Sequence, residues 1–279
     1  MSPATFLFLQ RVLPKQGLTE LAGWLASRKA GALTHWAIRR FIDRYGVDMS
    51  EAAQPDPAAY SSFNDFFTRP LAEGARPIAV SDWVCPVDGA VSQCGSIEQG
   101  QVLQAKGHRY ALEALLADVE RARSLEGGAF ATLYLSPRDY HRIHMPAAGR
   151  LVSMTHVPGT LYSVNPVTVE GIPDLFARNE RVVCVFERAG RPFVMVLVGA
   201  TIVGSMATVW HGQVNPPRPG TVRHWAYPDG EGAIHLSQGE EMGRFLLGST
   251  VILVVPPADA GAWPNWQPGR PVRLGEAMA

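Results

Sequence analysis

Eighteen consecutive residues, Phe193 to Trp210 (FVMVLVGATIVGSMATVW), carry no charge. A run of that length either crosses a bilayer as a helix or is buried in a protein core. Its composition selects the second option. Val, Ile and Thr dominate it and Gly199 and Gly204 interrupt it, a texture that suits strands rather than a helix. The segment predicts two buried strands with a bend between them, and any membrane contact then has to be peripheral. Other short apolar runs agree. Segments between Val84 and Val102, and over 130–135, 149–156, 182–187, 232–237 and 250–255, read as strands set off by glycine-containing turns. One inserted helix is expected over Tyr110–Arg123. The predicted class is α+β: a mainly antiparallel β core, barrel- or sandwich-like, with amino-terminal helices and an inserted helix.

At 279 residues, 47% of them hydrophobic and 18% charged, the chain has ample material for a core. Its 25 basic and 25 acidic residues cancel, so no overall field favours nucleic acid. The balance is uneven along the chain. Residues 1–45 hold seven basic residues (Arg11, Lys15, Arg28, Lys29, Arg39, Arg40, Arg44) against Glu20 and Asp43, a net +5 that leaves −5 elsewhere. Helical spacing of Leu18, Leu21, Ala22 and Leu25, and of Leu33, Trp36, Ala37, Phe41 and Tyr45, makes this stretch a set of basic amphipathic helices. Such helices suit an anionic lipid surface, although the same faces could cover a core. The linker QPDPAAY (54–60) separates this segment, residues 1–53, from a β-rich body, residues 54–279. The cysteines, Cys85, Cys94 and Cys184, are odd in number and form no metal-type pair, which fits a reducing compartment. Met1–Leu13 has neither the basic start nor the cleavage site of a signal peptide.

Three segments carry candidate chemistry. In YLSPRDYHRIHMP (134–146), His141 and His144 stand three apart, on one face if the segment is a helix and on opposite faces if it is a strand. No Cys or Glu stands nearby at ligand spacing, so zinc is weakly supported. In VCPVDGAV (84–91), Asp88 precedes Gly89; this pair reads either as a plain turn or as the carboxylate that an imidazole base needs. In GEEMGRFLLGSTVILVV (239–255), Ser249 follows Gly248 at the entrance to an apolar strand without a Gly-x-Ser-x-Gly elbow. That bond is either a turn or a glycine carbonyl open to attack by the serine hydroxyl.

Taken together, HLSQGEEMGRFLLGSTVILVVPP, YLSPRDYHRIHMPAAG, LYSVNPVTVEGIPDLFARNERVV and VDGAVSQCG resemble the phosphatidylserine decarboxylase proenzymes of bacterial membranes, in order over roughly residues 60–257. Leu246 is the one departure, at a position where related sequences often carry a polar or bulkier residue. The resemblance implies that Ser249 attacks the Gly248 carbonyl, with His144 as base and Asp88 orienting it. A β chain (1–248) and an α chain (249–279) then result, the latter headed by a pyruvoyl group made from Ser249. That group would form a Schiff base with phosphatidylserine and release phosphatidylethanolamine and CO2, with no pyridoxal phosphate (PLP) and no metal. His141 would serve the decarboxylation step by proton transfer. Lys106, Tyr140 and Asn165 are candidates for the substrate pocket. The implied location is the cytoplasmic face of the bacterial inner membrane, peripherally bound to its anionic surface, and a homodimer is compatible with these features. Three alternatives stand beside this: a pyruvoyl decarboxylase of a soluble amino acid, a carrier module with Lys106 as attachment point, and a Ser/His/Asp hydrolase that stays uncut. Lys106 followed by a helix would argue against the carrier.

Overall fold

The computed structural model describes residues 2–202, 205–246, 250–261, 263 and 265–278. Three helices open the chain, α1 (Pro3–Val12), α2 (Lys15–Ser27) and α3 (Ala32–Tyr45). Gly46 ends α3 at φ +67°, where glycine avoids the penalty a Cβ brings. Helix α4 (Phe63–Phe67) starts at Ser62, whose hydroxyl accepts a hydrogen bond from Asp65 N. The body contains β1 (Gly89–Ser96), β2 (Gln101–Ala105), β3 (His108–Ala111), α5 (Leu112–Leu116), α6 (Val119–Ser124), β4 (Ala129–Tyr134), β5 (Arg142–His144) and β6 (Gly149–Val157). It continues with α7 (Pro166–Gly171), α8 (Leu175–Arg178), β7 (Arg181–Arg188), β8 (Arg191–Val198), β9 (Met206–Thr208), β10 (Gly212–Asn215), β11 (Arg223–Ala226), β12 (His235–Leu236), β13 (Glu241–Phe245), β14 (Thr250–Val255) and β15 (Pro271–Val272).

The class is α+β, and the named strands pair antiparallel throughout. The large sheet runs β11-β6-β7-β8-β14-β4-β1-β15, with β12 also on β6; the small sheet runs β10-β9-β13-β5; β2 and β3 form a hairpin. Among the described residues the edge strands β11 and β15 do not meet, so the barrel form of the expectation is corrected to an open sheet. Layering replaces closure. One face of the large sheet (Leu133, Met195, Leu197, Val251, Leu253) packs with Ile143, Met206, Met242 and Phe245 of the small sheet. The other face (Phe130, Val194, Val196, Ile252, Val254) packs with Leu112, Leu115, Val169, Leu175 and Phe176 of the helices. A strand covered on both faces needs apolar residues at every position, which is why β14 reads as an unbroken apolar run.

The uncharged run divides as expected, β8 joining the large sheet and β9 the small one, with a bend that carries the chain across. Leu246, just past β13, is tied to the start of β9, its N donating to Ser205 O at 3.0 Å. The helix expected over 110–123 is corrected. Tyr110 belongs to β3, and Ala117 in the left-handed region (φ +53°) separates α5 from α6, whose cap is Asp118. Lys106 is accordingly followed by β3 and sits at a hairpin tip rather than before a helix. Among the described residues no helix is long and apolar enough to cross a membrane.

Candidate active site

Register places the site at one end of the large sheet. Ala90 of β1 pairs with Tyr134 of β4, and Tyr134 pairs on its other side with Thr250 of β14. Ala90 and Thr250 therefore share one row, two strand spacings apart, about 10 Å. Gly248 and Ser249 themselves lie outside the described residues. Close approach explains Gly89, since a Cβ there would sit 2.2 Å from the Tyr134 carbonyl oxygen. Gly89→Ala is expected to cost roughly 1–3 kcal/mol, read as a lowered Tm; an unchanged Tm would contradict the packing.

The histidine motif leaves β4 through a turn closed by Asp139, whose Oδ2 accepts from Ser136 N at 2.6 Å. It then enters β5, of which His144 is the last residue while His141 lies just before it, so the helix alternative is excluded. Strand β5 is held by β13, with His144 opposite Glu241, and by the Arg142 to Glu241 ion pair at 2.7 Å. His144 N donates to Pro86 O at 2.9 Å, which lays the strand along the segment bearing Asp88. The His144 ring donates from Nδ1 to Gly239 O at 2.8 Å, which leaves Nε2 as an acceptor for the Tyr140 hydroxyl at 3.1 Å. Burial lowers the pKa of His144, and that outweighs the raising effects of the Gly239 bond and of the charges on Glu241 and Asp88. The imidazole is thus neutral, with its lone pair at Nε2.

The expected contact between Asp88 and His144 is corrected. Asp88 accepts from Arg76 Nε at 3.0 Å, from Arg76 Nη2 at 2.6 Å and from Leu274 N at 2.8 Å. A bidentate guanidinium and a backbone amide occupy the carboxylate, and the Gly239 carbonyl takes the ring proton that Asp88 was expected to hold. Asp88 reaches His144 only as a charge acting across space.

His141 is fully buried. Its Nδ1 donates to Asp139 O at 2.7 Å, its ring lies 4.1 Å from that of Phe67, and Nε2 has no partner. Burial chiefly pushes its pKa down to about 3, with the Arg69 charge acting the same way. The His141 carbonyl accepts from Phe245 N at 3.1 Å, which ties this histidine to the strand leading into Gly248.

Of the three pocket candidates, the structure brings Tyr140 to the site. Asn165 caps α7, its Oδ1 accepting from Thr168 N at 3.1 Å, and the exposed Lys106 pairs with Glu170 at 2.7 Å. Neither lines the cavity that holds Tyr140. A cavity of about 310 Å³ adjoins Leu246 instead, walled by Thr19 and Trp24 of α2, Asn64, Ser205 and Arg218. Asn64 Oδ1 is buried there without a partner.

Sequence reasoning missed the residues that build these walls. The run Asn179-Glu180-Arg181 is an internal scaffold. Asn179 Nδ2 donates to the carbonyls of Tyr162 and Gly199, and Arg181 donates to those of Ala114, Leu115, Ala177 and Asn179. Glu180 accepts from His156 Nε2 at 2.9 Å and from Arg218 Nε at 2.7 Å, which fixes Arg218 in the cavity wall. Among the described residues no group of three or more His, Cys, Asp or Glu is placed to hold a metal ion.

Residues 63–279 match the model of the phosphatidylserine decarboxylase family, and residues 5–46 match a second model described as PSD. Proteins named phosphatidylserine decarboxylase proenzyme are similar over the whole chain. That of Variovorax paradoxus (strain S110) is 62% identical, with 98% of its length covered. That of Azoarcus sp. (strain BH72) is 63% identical, with 96% covered, and that of Acidovorax ebreus (strain TPSY) is 64% identical, with 98% covered. With the family model spanning more than half of the chain and such relatives matching all of it, this chain belongs to the phosphatidylserine decarboxylase family.

Proposed function

We propose that the chain is a phosphatidylserine decarboxylase proenzyme that cuts itself between Gly248 and Ser249 and then converts phosphatidylserine to phosphatidylethanolamine and CO2. The observation that carries this reading is the pair of neutral imidazoles, His144 at the end of β5 and His141 just before it, the latter tied to Phe245 of β13. The Ser249 hydroxyl attacks the Gly248 carbonyl as His144 Nε2 takes its proton. The peptide bond is replaced by an ester, and β-elimination removes the Cα proton of residue 249 and breaks its Cβ–Oγ bond, so that the oxygen leaves as part of the Gly248 carboxylate. Hydrolysis of the resulting enamine at residue 249 releases ammonia, dividing the chain into residues 1–248 and 249–279.

Two buried polar atoms without partners, Thr250 Oγ1 and His141 Nε2, support the fit of a pyruvoyl group at residue 249. Such a group supplies an electron sink for the carbanion left by departing CO2, work done elsewhere by pyridoxal phosphate. His141 Nε2 accepts a proton from the substrate ammonium and returns it to the α-carbon, a role suited to an imidazole that starts neutral. CO2 release from phosphatidylserine vesicles but not from free amino acids is the expected assay result. Release from a free amino acid alone would favour the soluble-substrate alternative.

The sign of the pH dependence follows from burial. Since the neutral imidazole is the base and its pKa lies below the ordinary histidine value of about 6.5, scission keeps more than half its maximal rate as pH falls to that value. It drops to half only below, as His144 takes up a proton. A time course of newly synthesised protein across pH 8 to 5 checks this; half-loss at neutral pH would contradict it.

Residues 1–53 serve in this reading as the segment that binds the anionic surface of the inner membrane. Leu21, Leu25, Leu33 and Trp36 are exposed on α2 and α3, among the exposed Arg28, Lys29, Arg39, Arg40 and Arg44. Helix α2 also walls the cavity beside Leu246, which gives lipid a short path to the site. Deleting the segment would strip the body of the Gln10 bond to Ser163 N and the Thr19 bond to Ile202 N, so point variants test it better. Replacing Leu21, Leu25, Leu33 and Trp36 by serine is expected to weaken flotation with anionic liposomes by about tenfold or more. Activity on micelle-free, short-chain phosphatidylserine should be retained, and undiminished flotation would refute the segment's role.

A further inference from the structure

A second cavity, about 320 Å³, lies behind Asp88 and Tyr140, and it contains an arginine without a counterion. Arg69 is only 4% exposed. Among the described residues no carboxylate bridges it. Its Nε is buried without a partner, and Nη2 reaches only the Arg138 carbonyl, at 3.3 Å. Leaving a guanidinium desolvated and unpaired is costly, and proteins seldom do so without a compensating anion.

The carboxylates lining the same cavity do not supply one. Asp88 is held by Arg76 and Leu274 N, and Glu51 by Arg76 at 2.6 Å and Arg273 at 3.4 Å. Asp48 accepts from the Ser50 amide and hydroxyl, and Asp139 from Ser136 N. Each carboxylate has its donors, whereas Arg69 Nε is left over. At the mouth stands Arg138, largely exposed and 3.9 Å from Asp139, too far for a hydrogen bond.

We propose that this cavity is an oxyanion site in which Arg69 at the floor and Arg138 at the mouth receive one phosphate group, either inorganic phosphate or the phosphodiester of an anionic phospholipid. A phosphate brings more oxygens and more charge to two guanidinium groups than a carboxylate does. The site is additional to the decarboxylase reading and does not depend on it.

The test uses full-length Ser249→Ala protein, which does not turn lipid over. Calorimetric titration at constant ionic strength with inorganic phosphate, dihexanoyl phosphatidylglycerol below its micelle concentration and acetate separates the sources. Saturable binding of phosphate or of the phosphodiester, with acetate weaker, is expected, and whichever binds identifies the source. Arg69→Gln should weaken binding by about tenfold or more and Arg138→Gln by about threefold. Because Arg138 is exposed, its variant keeps the test open should Arg69→Gln fail to fold. Absence of saturable binding, equal binding of acetate, or wild-type affinity in the arginine variants would overturn the assignment.

Discussion

Ser249→Ala is expected to yield one unbroken polypeptide of 279 residues with phosphatidylserine decarboxylation lowered by about four orders of magnitude or more. In the proposed reaction the hydroxyl is both the nucleophile that opens the Gly248 peptide bond and the group whose elimination turns residue 249 into the electron sink, so nothing can substitute for it. His144→Ala should also leave the chain whole, for a different reason. Its Nε2 lone pair is available because Gly239 O takes the proton on Nδ1. Without that base, the serine must lose its proton unaided. A gel of each variant beside wild type reads the outcome, and scission at the wild-type rate in either would remove the proposed chemistry.

His141→Gln should separate the two reactions. Scission is expected to proceed, because His141 Nδ1 is engaged with the Asp139 carbonyl and the base is supplied by His144. Decarboxylation should fall by about 10²–10⁴-fold, the usual worth of a positioned proton carrier. The two daughter chains serve as an internal control, because a misfolded precursor would not produce them. Retention of most of the decarboxylase activity would show that another group moves the proton, and Tyr140 would then be the next residue to replace.

All three positions were identifiable as candidates from the amino-acid sequence, while the groups that orient the histidines were not. Strands β7, β8 and β14 were legible because they are buried on both faces and read as continuous apolar runs. The helix over 110–123 failed because Tyr110 is a buried strand residue and Ala117 adopts a left-handed conformation that no glycine or asparagine announces. Helices α7 and α8 were missed although Asn165-Pro166 offered a cap followed by proline at the first helical position. In the site, His141, His144 and Asp88 stood out as side chains in dense motifs. The Gly239 carbonyl that orients His144 is a backbone atom and leaves no side-chain signature. Arg76 meets Asp88 only after the chain has turned back on itself, and Arg218 meets Glu180 across 38 residues, so tertiary packing alone reveals these pairs.

The electrostatics of Asp88 follow from the same packing. Arg76 bonds both Asp88 and Glu51, so the carboxylate beside the imidazole is held by a partner from outside the motif. The His144 proton affinity is therefore set mainly by burial and the Gly239 bond, with Asp88 acting at a distance.

The most direct test of the whole account is the intact mass of freshly purified wild-type protein under denaturing conditions. Two chains are predicted, residues 1–248 and residues 249–279, the smaller one lighter by one ammonia than a peptide beginning with serine. A single 30.3 kDa species that nevertheless decarboxylates phosphatidylserine would contradict it.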